Sequence, residues 1–207
     1  LLVTQGLRLE VRGDFPQALA AARGWDGAPL SADLQAELLR EWQRREQVQA
    51  QIAHLEAEQR ARVAAAVDGP ELLIRQLMLL RSNAWQSAWS LVMELFGWRR
   101  FGNRRELGAC VGLTPTPYRS GESAREQGIS KAGNRRVRAV LIELAWLWLR
   151  HQPQSELSQW FERRWASQGK RARRVGIVAL ARKLVIALWR YLDTGAIPNG
   201  ALLKPTL

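Results

Sequence analysis

Cysteine occurs once and histidine twice in the 207 residues. One cysteine, Cys110, excludes a disulfide within the chain and fits a reducing cytosol. Set in the apolar stretch from Leu107 to Val111, it reads as a small buried hydrophobe rather than a nucleophile. His54 and His151 lie far apart and offer neither a metal-ligand set nor a serine–histidine relay. No apolar run reaches about 18 residues free of charge, so no membrane-spanning helix is expected. A secretory leader is not visible, nor is a Walker loop or a dinucleotide fingerprint. The chain opens on Leu1 in mid-pattern, as a fragment of a longer protein would. Acidic residues are also few, 19 Asp and Glu against 31 Lys and Arg, for a net charge of +12. Only five carboxylates fall between Arg119 and Arg190, each with an Arg or Lys nearby, so no cluster of acids for two-metal phosphoryl transfer is present.

What is abundant is tryptophan, at ten residues, and positive charge in one part of the chain. Residues 1–66 carry 8 basic and 9 acidic side chains, whereas residues 67–207 carry 23 and 10. A basic balance concentrated in this way points to a polyanionic partner, DNA or RNA before an anionic membrane. The tryptophans sit mainly on apolar helical faces and are expected in the core, with Trp25, Trp42 and Tyr118 as the candidates for base stacking.

The periodicity predicts an all-α fold, a long helical arm followed by a compact multi-helix domain. Residues 1–30, broken by Gly6, Gly13, Pro16, Gly24, Gly27 and Pro29, read as a loop-rich entry segment. A helix capped by Ser31 runs to about Val67, with Leu34, Leu38, Trp42, Val48, Ile52, Leu55 and Val63 on one approximate stripe, as in a helical hairpin or irregular coiled coil. It forms the arm 31–68. Residues 69–118 hold a helix pair turning at Ser82-Asn83, then a helix over 104–111 ended by Gly112. Residues 119–207 hold a basic loop and the helical core, in which helices follow Asn134, Ser155 and Gly169. Pro115 and Pro117 force an extended path, and no strand is predicted. The stretch that follows Leu113–Gly121, as far as Gly133, is expected as an exposed loop.

Two segments carry the charge. The first runs from Tyr118 to Arg138 and feeds a helix N-terminus, where free N–H groups and the helix dipole favour phosphate. Arg119, Arg125, Lys131, Asn134, Arg135, Arg136 and Arg138 are its candidate nucleic-acid contacts, since guanidinium groups donate in pairs to phosphate oxygens. The three helical arginines cannot share one direction, so some are expected in solvent or paired with Glu143, Glu122 or Glu126. In the second segment Lys170, Arg171, Arg173 and Arg174 have Glu162 as their only local counter-charge, and positions 170, 171 and 174 share a helical face.

The run Leu107-Gly108-Ala109-Cys110-Val111-Gly112-Leu113-Thr114-Pro115, with Tyr118-Arg119-Ser120-Gly121 and Arg125-Glu126-Gln127-Gly128-Ile129-Ser130-Lys131-Ala132-Gly133-Asn134, strongly resembles the C-terminal domain of DEDD-type insertion-sequence transposases. The family is the "one-ten" family, and the Arg-Glu-Gln-Gly form and the tail 170–192 resemble its "eleven-eleven" branch. The resemblance implies a bacterial, cytoplasmic, nucleoid-associated protein acting in DNA transposition, guided by a structured RNA and working as a homo-oligomer. It implies a RuvC-like N-terminal domain holding divalent metal (Mg) through four acids, a domain absent from this sequence. No cofactor is expected in the chain itself, which alone should lack the complete active site. By motif the serine nucleophile is Ser120, with Ser123 and Ser130 as competitors. Ser130 is also explained as a helix-start cap. A serine hydroxyl needs activation, from the metal domain, a water, Glu122 or Glu126, while Arg119, Arg125 and Lys131 could stabilise charge on phosphorus. Family members often carry a glycine-containing hairpin where this chain reads Leu80-Arg81-Ser82-Asn83-Ala84-Trp85, so the helix-hairpin-helix-like start is altered here. The reading from a different class is a nucleic-acid-binding and oligomerising module without chemistry.

Overall fold

The computed structural model describes residues 2–120 and 123–205, with their side chains apart from those of Gln5, 117–120 and 123–127. Among these residues the chain forms eight α-helices and one two-stranded sheet. The all-α expectation is met, and the absence of any strand is corrected by a hairpin. Two units, Leu1–Arg62 and Val63–Leu207, each enclose their own apolar cluster.

In the first unit a 3₁₀ turn, Val3–Gln5, precedes α1, Phe15–Ala21. The breakers that made residues 1–30 read as loop conceal α1, because Pro16 stands in its first turn, where a missing N–H breaks no helical bond. Phe15, Leu19, Ala22, Leu30 and Leu38 bury one another. Helix α2, Ala32–Ala65, follows Ser31, whose Oγ accepts from the Leu34 N–H at 3.3 Å as the sequence predicts. Most of its surface is polar, yet Val48, Ile52 and Leu55 stand 48, 50 and 54% exposed.

The second unit contains α3 (Pro70–Met78), α4 (Trp85–Leu91) continuing into a π-helical turn at Val92–Phe96, α5 (Arg104–Cys110), β1 (Pro115–Ser120), β2 (Ser123–Ile129), α6 (Arg135–His151), α7 (Glu156–Trp165) and α8 (Lys170–Thr194). Helices α6 and α8 are its axis. Leu141, Leu144 and Trp148 of the first and Ile177, Leu180, Leu184 and Leu188 of the second are fully buried, and a buried apolar side chain of this size contributes about 1.5–3 kcal/mol. Trp148 is kept in that core by a bond from Nε1 to Ser155 Oγ at 2.8 Å. Helix α7 approaches α8 at Gly176, where a Cβ would fall 2.6 Å from Trp165 Cγ and 3.0 Å from Phe161 Cε2. Gln76 and Tyr191 tie α3 to α8 reciprocally: Gln76 Nε2 donates to the Tyr191 carbonyl at 2.7 Å, and Tyr191 Oη donates to the Gln76 carbonyl at 3.1 Å.

The segment after α8 closes over the turn between α3 and α4. Arg81 N donates to Leu202 O and Lys204 N to Leu79 O, Lys204 Nζ donates to Asn83 O at 2.8 Å, and Gln152 bonds both N and O of Leu202. Burial pushes the Lys204 ammonium below its ordinary pKa. Ser82 and Asn83, at the centre of the covered turn, are 4 and 1% exposed. The helix pair expected over 70–95 is present, but its turn faces this tail rather than solvent. No helix among the described residues is long and apolar enough to cross a membrane.

Candidate nucleic-acid interface

The site begins with two glycines that let two backbones touch. Gly112, φ 67°, ends α5, and Gly133, φ 121°, precedes α6. A Cβ on Gly112 would collide with the Ala132 carbonyl, and one on Gly133 with the Cys110 carbonyl. With no side chain on either, Lys131 N donates to Gly112 O at 3.2 Å and Asn134 N to Cys110 O at 3.2 Å. Lys131 itself takes φ 56°, uncommon for a residue with a Cβ. Arg138, reaching back from α6, donates through Nη1 to Lys131 O at 3.1 Å and Val111 O at 3.3 Å. This knot fixes both ends of the segment 113–133, which projects as an antiparallel hairpin pairing Pro115 with Ile129 and Ser120 with Ser123. The two prolines cannot donate to a ladder, and the register slips between Pro115 and Pro117. Ser120 is thus the last residue of β1. The side chains of Tyr118, Arg119, Ser120, Glu122, Ser123, Arg125 and Glu126 lie outside the described residues.

The other predicted residues separate into two groups. Asn134, Arg136 and Arg138 are engaged within the fold. Asn134 caps α6, its Oδ1 accepting from Arg136 N at 2.9 Å and Val137 N at 3.1 Å, while its Nδ2 donates to Glu94 at 2.8 Å. Arg136 pairs with the same carboxylate at 3.0 Å. Glu94, from the π-helical turn, was not among the counter-charges expected from sequence, and neither were the carbonyl partners of Arg138. Ser130 is not the cap either: its N–H pairs with Thr114 O at 2.8 Å, four residues before the helix cap. Cys110 is half-buried, and its Sγ accepts from Arg99 Nη1 at 3.0 Å. Arg135, Lys170, Arg171, Arg173 and Arg174 are exposed.

Lys131, Arg171 and Arg174 come together with residues that the sequence reading did not single out. They line an open groove of about 870 Å³, joined by Arg104 and Arg105 at the start of α5 and by Arg182 and Lys183 of α8. Among the described residues seven cations border it, no carboxylate does, and none of the seven forms an ion pair. The floor is apolar, formed by Leu113, Ile129, Trp160, Val178 and Ile186. Lys183 Nζ lies 4.7 Å from the Trp160 ring centroid. Pro115, Gly128 and Ile129 also line the groove, so the base of the hairpin forms part of its wall. The missed cations had a signal: 171, 174, 178, 182 and 186 follow the helical period on one face of α8. Arg104 and Arg105 had none, since only the fold brings α5 to α8. Of the stacking candidates, Trp25 is exposed and Trp42 is packed against the first unit's core, while Trp98, beside Arg99 and Arg100, is exposed and was not anticipated.

Among the described residues no three His, Cys, Asp or Glu side chains gather in a way that could hold a metal ion.

Residues 76–159, which include α4 to α6 and the hairpin, match the model of the Transposase IS116/IS110/IS902 family. The chain is also 41% identical over 214 aligned residues to y4rJ of Sinorhizobium fredii (strain NBRC 101917 / NGR234), a protein whose name places it with the transposases; the alignment covers 99% of this chain and 54% of that one. A second transposase-named protein of the same strain, y4qE, is 47% identical over 47 residues, which are 23% of this chain and 12% of y4qE. The chain therefore spans about half the length of y4rJ, and it is similar to these proteins and to this family over the stretches given.

Proposed function

We propose that the chain is the nucleic-acid-gripping and strand-joining part of an insertion-sequence transposase, with Ser120 as its nucleophile. The observation that carries this reading is the placement of the hairpin. Its base is a wall of the seven-cation groove, and its far end is Ser120 paired with Ser123. A phosphate backbone drawn to the groove by charge lies beside the segment that bears the hydroxyl. In the reaction Ser120 Oγ forms an ester with a DNA phosphorus, the bond from that phosphorus to a deoxyribose oxygen breaks, and the freed sugar hydroxyl takes a proton. The phosphodiester count is conserved, and a second sugar hydroxyl can reverse the attack on a different strand. In this reading a divalent metal is held by a RuvC-like domain of the full protein, and a guide RNA belongs to the same assembly.

Helix α2 supplies the contact between copies. Val48, Ile52 and Leu55 are exposed at spacings of four and three, the seam spacing of paired helices.

The test uses a chain that joins this segment to the metal-holding domain. Ser120→Ala is expected to leave DNA binding unchanged and to abolish both strand exchange and the covalent protein–DNA adduct seen on a denaturing gel. An adduct that persists in the alanine variant would remove Ser120 from the reaction and leave the segment as a binding module.

A further inference from the structure

We infer that the groove between α5, α8 and the base of the hairpin holds an unpaired nucleic-acid strand, with phosphates on its rim and base faces on its floor. The inference rests on the reading of this surface as a nucleic-acid interface and goes beyond it by naming what the groove accepts.

Its chemistry is divided by depth. The rim is cationic, with Arg104, Arg105 and Lys131 supplied from outside α8 and the remaining four cations by α8 itself. The floor is not. Between Arg174 and Arg182 one face of α8 shows Val175, Val178 and Ala179, and Val175 is 54% exposed. A rail for duplex DNA needs the cations alone, because a duplex presents phosphate outward and keeps its base faces stacked inside. Unpaired bases have free faces, and contact with apolar and aromatic side chains recovers what unstacking loses. Trp160, half-buried in the floor with Lys183 over its ring, is such a surface with a cation already beside it. The volume, about 870 Å³, falls within the range of roughly 300–1,000 Å³ in which folded proteins enclose small aromatic ligands. It suits splayed bases. Among the described residues no carboxylate lines it, and seven cations there favour a polyanion over a basic peptide as occupant.

The experiment titrates the chain, at fixed salt, with labelled oligothymidylate, oligouridylate and a hairpin duplex of equal phosphate count, following anisotropy. Both single strands are expected to bind at least about tenfold more tightly than the duplex, since each stacked base is worth roughly 5- to 150-fold. The thymidylate and uridylate arms show whether DNA or RNA is the better source, and either preference upholds the inference. Val178→Asp places a carboxylate on the floor and is expected to erase the single-strand preference while sparing duplex binding. Val178→Leu is expected to keep the preference, and the melting temperature of each variant reports whether the fold is retained. Equal binding of duplex and single strands, or an unchanged preference in a folded Val178→Asp protein, would overturn the inference while leaving the nucleic-acid interface standing. Failure to bind any of the three probes would overturn the interface itself.

Discussion

Ser155 Oγ uses all its hydrogen-bonding capacity in a dry place. It accepts from Trp148 Nε1 at 2.8 Å and from Ser158 N at 3.2 Å and donates to Ser158 Oγ at 3.0 Å. Ser155→Ala removes a helix cap and orphans a buried indole N–H, and about 3 kcal/mol of stability is expected to go with it, read as a shift of the urea midpoint without a change of slope. Tyr191 gives a second residue-level expectation. Burial raises its phenol above the ordinary 10.0, so the folded chain keeps a proton that the unfolded chain releases. Its contribution is complete below pH 10 and is lost as pH rises toward the folded value. Lys204, lowered from 10.5, acts in the opposite sense, and its part grows as pH rises toward that value. Tyr191→Phe is expected to cost about 1 kcal/mol at neutral pH through the lost bond to Gln76, and denaturant titrations should find this gap narrowing above pH 10.

At the level of elements, close approach sets the tolerances. Gly176 lets α7 lie against α8, and Gly176→Ala is expected to cost roughly 1–3 kcal/mol by overpacking against Trp165 and Phe161, measurable as a lower melting temperature with helical content retained. Helices that were legible in the sequence are those with an apolar stripe and a boundary residue: α5 stops before Gly112, α6 begins after Asn134, α7 after Ser155 and α8 after Gly169. The hairpin was not legible, because period-two alternation appears only when one face of a strand is buried. Of 115, 116, 128 and 129, only Ile129 turns inward. Helix α1 was hidden by a proline that is harmless where it stands. Of the candidate site, the charge on α8 was readable, whereas Ser120 was singled out by the resemblance alone. The partners of Asn134, Arg136 and Arg138 depended on Glu94 and on carbonyls from distant segments, which no local pattern encodes.

For the whole molecule, charge is divided unequally between the two units and concentrates on one groove of the second. Binding to single strands should therefore fall steeply with salt, with a logarithmic slope of about −0.7 per phosphate contact. Arg171→Glu combined with Arg174→Glu is expected to flatten that slope by about 1.4, and an unchanged slope would place the phosphates elsewhere. The tail that seals the turn between α3 and α4 carries a different kind of consequence. Asn83 and its partner Lys204 are 121 residues apart. At about 5–20 residues per second of synthesis, the turn waits on the order of 6–24 s for its cover, longer than most small domains need to fold. During translation a nascent chain therefore shows Ser82, Asn83 and the apolar residues around them to any chaperone near the ribosome exit, and the second unit reaches its final form only after that late segment has emerged.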